Sequence, residues 1–256
     1  MTALLDVCSR LPQNIWYDPD PKSHDQRLWP EIKAGLTQGT LLLFDLGYTN
    51  FQIFKDLTQQ GVTWITRAKR NLSYEVCQVL QREAHIHDQI VWIGQDEARQ
   101  QVRLIEVLYQ GKWYRYLTNE REALKLPVAY VVALYWQHWR IEDAYHVIKR
   151  LLGLAYFWSG SQNAVELQLW TTWLLYVALI DLTDDVAQAV QKPLNAISIE
   201  MVYRSLYFFA QAREQGEAQD LVIYLAQSAK SLGLLKRKPP TRKLALLLGL
   251  TNSSGP

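Results

Sequence analysis

The chain has 256 residues, of which 49% are hydrophobic and 20% charged. That composition excludes a disordered chain, and the length allows one large domain or two small ones with a real core. The formal net charge is only +2, so bulk charge makes no case for nucleic acid, and any such case must rest on local patches.

Thr2–Val7 and Asn14–Tyr17 read as a strand pair joined by a turn at Ser9-Arg10-Leu11-Pro12. Its outer strand needs a neighbour that the chain does not offer upstream, so a missing strand is expected. Pro19 and Pro21 mark a loop. Asp25 can cap a helix over about Gln26–Gly35 that carries Trp29, Ile32 and Leu36 on one face. Leu41-Leu42-Leu43-Phe44 is a continuous apolar run stopped by Asp45, which suits a strand buried on both faces. A short helix over Asn50–Gln60, closed by Gly61, leads into a strand at Val62–Thr66. Residues 40–67 therefore read β-α-β, the mark of an α/β core.

Residues 72–118 change character. Gln89–Ile93, Val102–Leu108 and Lys112–Leu117 read as strands, with a Gln110-Gly111 turn between the last two. After Pro127 the chain turns helical. Val128–Leu152 is expected as one helix, followed by helices at about Val165–Leu182, Ile197–Arg213 and Glu217–Leu232. The apolar run Leu167–Ile180 lies between Glu166 and Asp181 and reads as a buried helix, so no membrane partner is expected. A basic tail, Lys236 to Lys243, closes the sequence.

Two segments carry chemistry. Asp45 stands at the end of a buried strand, where ligand and metal sites of α/β sheets gather; a turn residue or helix cap is the plainer reading. In the later helix Tyr135, His138, Glu142 and Lys149 fall three, four and seven residues apart, which places them on one face of an uninterrupted helix. That stripe is either a solvated polar face or the border of a cleft. A strand Asp and a helix Glu can share divalent cations, Mg²⁺ or Mn²⁺, which prefer carboxylate and water oxygens. Such ions clamp an in-line phosphoryl displacement.

Asp45-Leu46-Gly47-Tyr48 with Phe51 and Trp64-Ile65-Thr66-Arg67-Ala68-Lys69, and Tyr135-Trp136-Gln137-His138-Trp139-Arg140-Ile141-Glu142 with Tyr145 and Lys149, resemble bacterial DDE transposases of the insertion-sequence-four type. That family's pattern is Tyr, two residues, Arg, three residues, Glu, six residues, Lys. Tyr135, Glu142 and Lys149 fall in place, while His138 occupies the Arg position and lacks the fixed charge and fork of Arg. The resemblance spans roughly residues 1–185. It implies a ribonuclease-H-like α/β core lacking its first strand, with a β-rich insertion and a helical C-terminal part. The divisions are 1–71 for the first part of the core, 72–119 for the insertion, 120–185 for its helical completion and 186–256 for the C-terminal region.

The resemblance also implies an activity. Asp45 and Glu142 would hold Mg²⁺ or Mn²⁺, and Tyr135, His138, Lys149, Arg67, Lys69 and Arg70 would contact DNA. The partner would be double-stranded DNA carrying the element's terminal inverted repeats, bound by a homodimer in the bacterial cytoplasm, at the nucleoid. The family's first Asp lies on a strand ahead of the opening hairpin. Asp6 is the early candidate and fits the second strand better than the first. A truncated chain with impaired cleavage and strand transfer is therefore expected. The alternatives are a non-catalytic truncated DNA-binding remnant, an inhibitor of a full-length transposase, or a nuclease that cuts without joining.

Other residues read as structural. His85 and His87 lack a third metal ligand nearby in sequence, and His146 is expected to face solvent. Cys8 and Cys77 are expected as inert buried thiols in a reducing compartment. Of Trp136, Trp139, Trp158, Trp170 and Trp173, Trp158 beside Ser159-Gly160-Ser161 is the one best placed to stack on a base.

Overall fold

The computed structural model describes residues 1–20 and 25–236. The loop residue Pro21 and the basic tail beyond Lys236 lie outside them, and the side chain of Asp25 is likewise not described. The chain divides into two compact units. Among the described residues, one comprises Met1–Leu4 and Asn14–Trp139, and the other Leu5–Gln13 and residues 140–236.

Strands β1 (Thr2–Leu5) and β2 (Pro12–Trp16) pair with each other in a two-stranded sheet. The first unit is built on a second sheet of six strands. These are β3 (Leu41–Leu43), β4 (Thr63–Arg67), β5 (Glu75–Arg82), β6 (Ile86–Ile93), β7 (Gln100–Tyr109) and β8 (Lys112–Thr118), in the spatial order β3-β4-β8-β7-β6-β5. β3 and β4 are parallel, joined across helix α2 (Phe51–Gln59). The Asn50 side chain caps α2 by accepting from the Gln52 amide at 2.9 Å, and Gly61 leaves it at φ +74°. The β-α-β unit is thus formed where the sequence places it. The segment expected as an insertion joins the same sheet, because β8 pairs antiparallel with β4, Ile65 opposite Thr118.

Two expectations change here. β3 is an edge strand and not one buried on both faces: Leu42 is buried, whereas Leu41 is 40% exposed. Its apolar run serves one packed face and one sheet edge. β5 escaped the sequence pattern because it is the other edge, with Val76 and Val79 about half exposed. The turn at Gln110-Gly111 has both residues at positive φ, 51° and 73°, as a tight hairpin requires.

One face of the sheet packs on helix α1 (Trp29–Ala34) and α2 through a core that includes Phe44, Phe54, Leu57, Trp64 and Leu117. Phe54 stacks on Trp64 with centroids 4.4 Å apart. The other face carries Ile65, Ile105, Val107 and Tyr116. These pack on helix α3 (Val128–Gln137) through Val131, Val132 and Tyr135. A buried ion pair lies on this face. Arg103 gives two bonds to Asp88, at 2.7 and 2.6 Å, and a third to the Leu126 carbonyl at 2.6 Å.

The second unit is helical. It holds α4 (Trp139–His146), a π-helical turn over Val147–Leu151, α5 (Gln162–Ala189), α6 (Ile199–Glu214) and α7 (Leu221–Gln227). By length and composition α5 is apolar enough to cross a membrane. One face of it is buried, through Leu169, Trp173, Tyr176, Leu179 and Ile180, while Leu167, Trp170, Leu174 and Leu175 are exposed, so it is not the buried helix expected. The single helix expected over Val128–Leu152 is broken by a turn at His138 and then widened by the π segment. The stretch contains no Gly or Pro to announce either event. Cys8 and Cys77 are exposed, not buried.

Candidate nucleic-acid and metal site

Asp45 follows β3 and opens a short 3-10 turn, Leu46–Tyr48. Its Oδ1 accepts the Gly47 amide at 2.8 Å, so the cap reading of the sequence is met. Two further bonds hold this loop. Gln26 Nε2 donates to the Gly47 carbonyl at 2.7 Å, and Thr66 Oγ1 to the Asp45 carbonyl at 3.4 Å. Gln26 had no signal in sequence, being twenty-one positions from its partner. Capping occupies one oxygen of Asp45, and the exposed carboxylate keeps Oδ2 without a hydrogen bond among the described residues.

Arg67 ends β4 opposite Tyr116. Its guanidinium lies over the Tyr114 ring, 5.4 Å from the centroid, and its buried Nε has no hydrogen-bond partner. Tyr135, on α3, is 7% exposed, and its ring stacks on His138 at 5.6 Å. Burial pushes the Tyr135 phenol up to about 12; Arg67 opposes that rise and Asp45 adds to it. Asp45, Arg67 and Tyr135 therefore share one electrostatic neighbourhood at the ends of the parallel strands. Lys69 and Arg70 are exposed in the next turn. Arg115 Nη1 fixes that turn by donating to both of their carbonyls at 3.2 Å.

The other expected residues belong to the second unit. Glu142, in the first turn of α4, is exposed and forms no hydrogen bond or ion pair among the described residues. Lys149 is exposed in the π turn, its Nζ 5.3 Å from the centroid of the Tyr145 ring. The helix assignment is interrupted at His138, whose dihedrals stay helical (φ −53°, ψ −31°), and the π turn begins only after Glu142, at Val147. Asp6 also caps a turn. Its Oδ1 accepts from the Cys8 amide at 2.9 Å, the Ser9 amide at 2.6 Å and the Ser9 hydroxyl at 2.9 Å. Those bonds, the Ser9 amide's first, hold the Asp6 carboxyl below its usual value. Trp158 is 87% exposed, and Trp139 and Trp170 are also exposed, while Trp173 is core.

Among the described residues no three His, Cys, Asp or Glu side chains gather as a metal cluster. Asp45 and Glu142 are nevertheless open oxygen donors. Mg²⁺ commonly takes one or two carboxylates and completes its shell with water and substrate phosphate. Each carboxylate, taken by itself, is of the type such an ion accepts.

The family model described as the transposase DDE domain matches residues 1–178, more than half of the chain. The chain belongs to the DDE transposase family. It is also similar to "Putative transposase y4zB" of Sinorhizobium fredii, at 27% identity over 193 residues. That alignment covers 66% of this chain and 52% of the relative, so the chain spans about half the length of that protein. Transposases with a DDE domain generally use divalent metal ions, which agrees with the carboxylate donors described above.

Proposed function

We propose that this chain binds the terminal inverted repeats of an insertion element and carries two of the carboxylates that cleave them, on a ribonuclease-H-like core. The observation that carries this reading is the meeting of Asp45, Arg67 and Tyr135 at the strand ends. It joins an open carboxylate, a cation with an unpartnered buried Nε and a phenol kept protonated by burial. A phosphodiester needs a donor fork and a hydrogen-bond donor, and Arg67 and Tyr135 supply them. Asp45 and Glu142 are assigned the divalent cation, Mg²⁺ or Mn²⁺, by the sequence motifs. That cation would supply charge neutralisation and activation of water or a 3′-hydroxyl. Lys69, Arg70, Lys149 and His138 are assigned to the DNA backbone, and two copies of the chain to the two ends of the element.

A second reading is a chain that binds DNA without cutting it. The capping role of Asp6 Oδ1 favours that reading, because it gives Asp6 a structural place in its turn. Weak cleavage and no strand joining by this chain alone follow from either a thinned metal site or none.

Duplex binding tests the common part. Affinity for a terminal-repeat duplex should fall steeply with salt. Arg67→Gln should weaken it on every sequence and reduce the salt slope by about 1. A chain with no salt-dependent affinity for duplex DNA would sink the proposal.

A further inference from the structure

The helical unit displays three successive aromatic rings that the proposed site does not use. Trp158 is 87% exposed, Tyr156 80% and Phe157 52%. Among the described residues none of the three stacks on another aromatic ring. Side chains of this kind normally supply a fold with its largest pieces of buried apolar area. Three in succession left in water, on a loop of fixed shape, point to a partner.

The loop is tied at both ends. Gly153, at φ +81°, turns the chain out of the π segment. The amides of Leu154 and Ala155 donate back to the carbonyls of Ile148 and Lys149, at 3.1 and 3.0 Å. Beyond them, Gln168 of α5 holds the loop with both ends of its amide. Its Nε2 donates to the Tyr156 carbonyl at 2.7 Å, and its Oε1 accepts from the Trp158 amide at 3.1 Å. Gln168 is only 5% exposed. These bonds satisfy its buried amide, and they fix the backbone on either side of Phe157. Rings carried on a backbone already ordered bind a partner without the entropy loss of ordering a loop.

The charge beside the rings is of one sign. From Lys149 through Val165 the charged residues are Lys149 and Arg150 alone, and both are exposed. The bonds from Leu154 and Ala155 run directly to the turn that carries them. The next acid along the chain, Glu166, accepts from Gln162 Nε2 at 2.8 Å. Exposed rings next to cations are the combination that binds unpaired nucleotides: the cations follow the phosphates, and the rings stack on bases of any sequence. An apolar protein surface would call for the rings and not for the two cations.

We propose that the loop Tyr156–Trp158 is a stacking platform for unpaired bases at a DNA end, with Lys149 and Arg150 on the adjoining phosphates. The choice of a DNA end rests on the DNA-binding reading above, whereas the platform rests on the exposed rings and the buried amide that pins them. Trp158, the most exposed, is the principal ring, and Gln168 is a positioning residue.

Two duplexes of equal length test this on the full chain, one blunt-ended and one with its last two base pairs replaced by mismatches. The native chain is expected to bind the mismatched end about tenfold more tightly, the worth of one stacked base. Trp158→Ala should remove that preference and Trp158→Phe should keep most of it. The salt slope should stay, because stacking releases no counterion. No preference in the native chain, or the same preference in Trp158→Ala, would overturn the platform. So would self-association that disappears in Trp158→Ala without any preference for the mismatched end, since the rings would then join two copies. A short oligothymidine is the second probe, titrated against the native chain and Trp158→Ala. Binding of it through Trp158 by a chain that binds no duplex would keep the platform and sink the functional reading. Binding of neither would overturn both.

Discussion

The Arg103–Asp88 pair offers the sharpest test of how the sheet presents α3. Asp88 lies opposite Ile105 and Arg103 opposite Ile90, so the two side chains are diagonal neighbours on the face that α3 covers. Arg103 is fully buried and Asp88 is 2% exposed. The remaining Arg103 bond holds the Leu126 carbonyl directly ahead of Pro127, where α3 begins. Asp88→Leu leaves a buried guanidinium without its anion, which should cost about 3 to 5 kcal/mol. Against a total stability of about 5 to 15 kcal/mol this is a large loss. Replacing both, Arg103→Met with Asp88→Leu, removes the uncompensated charge. It still orphans the Leu126 carbonyl, a loss of about 1 to 3 kcal/mol, offset in part by better apolar packing. The double variant should therefore be more stable than Asp88→Leu alone, by about 2 kcal/mol or more. Urea unfolding of the four species, with equal slopes, reads these differences. Additive losses, or a loss below about 1 kcal/mol for Asp88→Leu, would refute the argument that burial makes the unpaired partner costly.

Other outcomes follow from single contacts. Tyr135 titrates near 12 in the fold and near about 10 when unfolded, so the folded chain keeps its proton longer. Its contribution to stability is complete below about pH 10 and is lost as pH rises towards about 12. Urea midpoints should therefore fall more steeply with alkali for the native chain than for Tyr135→Phe. Parallel profiles would contradict the assigned burial. Gly94 has φ +75°, and a Cβ there would lie 2.5 Å from the Ala98 carbonyl oxygen. Gly94→Ala should cost about 2 kcal/mol or more in denaturant unfolding, and no change would mean that the turn adjusts. Asn50→Ala removes the α2 cap and should cost about 1 kcal/mol by the same measurement.

What the sequence made legible is what local chemistry dictates. The run Leu41–Phe44, the capped helix at Asn50 and the strand before Arg67 announce a β-α-β unit, and it forms with β3 parallel to β4. Gln110-Gly111 announces its hairpin in the same way. Asp45 and Glu142 are singled out because the segments that carry them resemble a known family pattern, and their role rests on that resemblance. Features set by long-range packing gave no such signal. The turn at His138 and the π segment after it lie in a stretch with ordinary helix formers, so periodicity ran straight through them. β5 is an exposed edge strand, and its alternation buries too little to stand out. Arg103 and Asp88 lie fifteen positions apart on different strands, and Arg10 meets α5 from the far end of the chain. Asp6 was legible in part, since an Asp three residues before a Ser in a turn is a local cap.

The most direct test is the reaction of a terminal-repeat duplex with the purified chain and Mn²⁺, resolved into nicked and joined products. The account predicts bound DNA, nicking that is at most weak and disappears in both Asp45→Asn and Glu142→Gln, and no joined strands. Nicking that survives both substitutions would contradict the assignment of the two carboxylates. Efficient joining by the chain alone would contradict the claim that it is impaired.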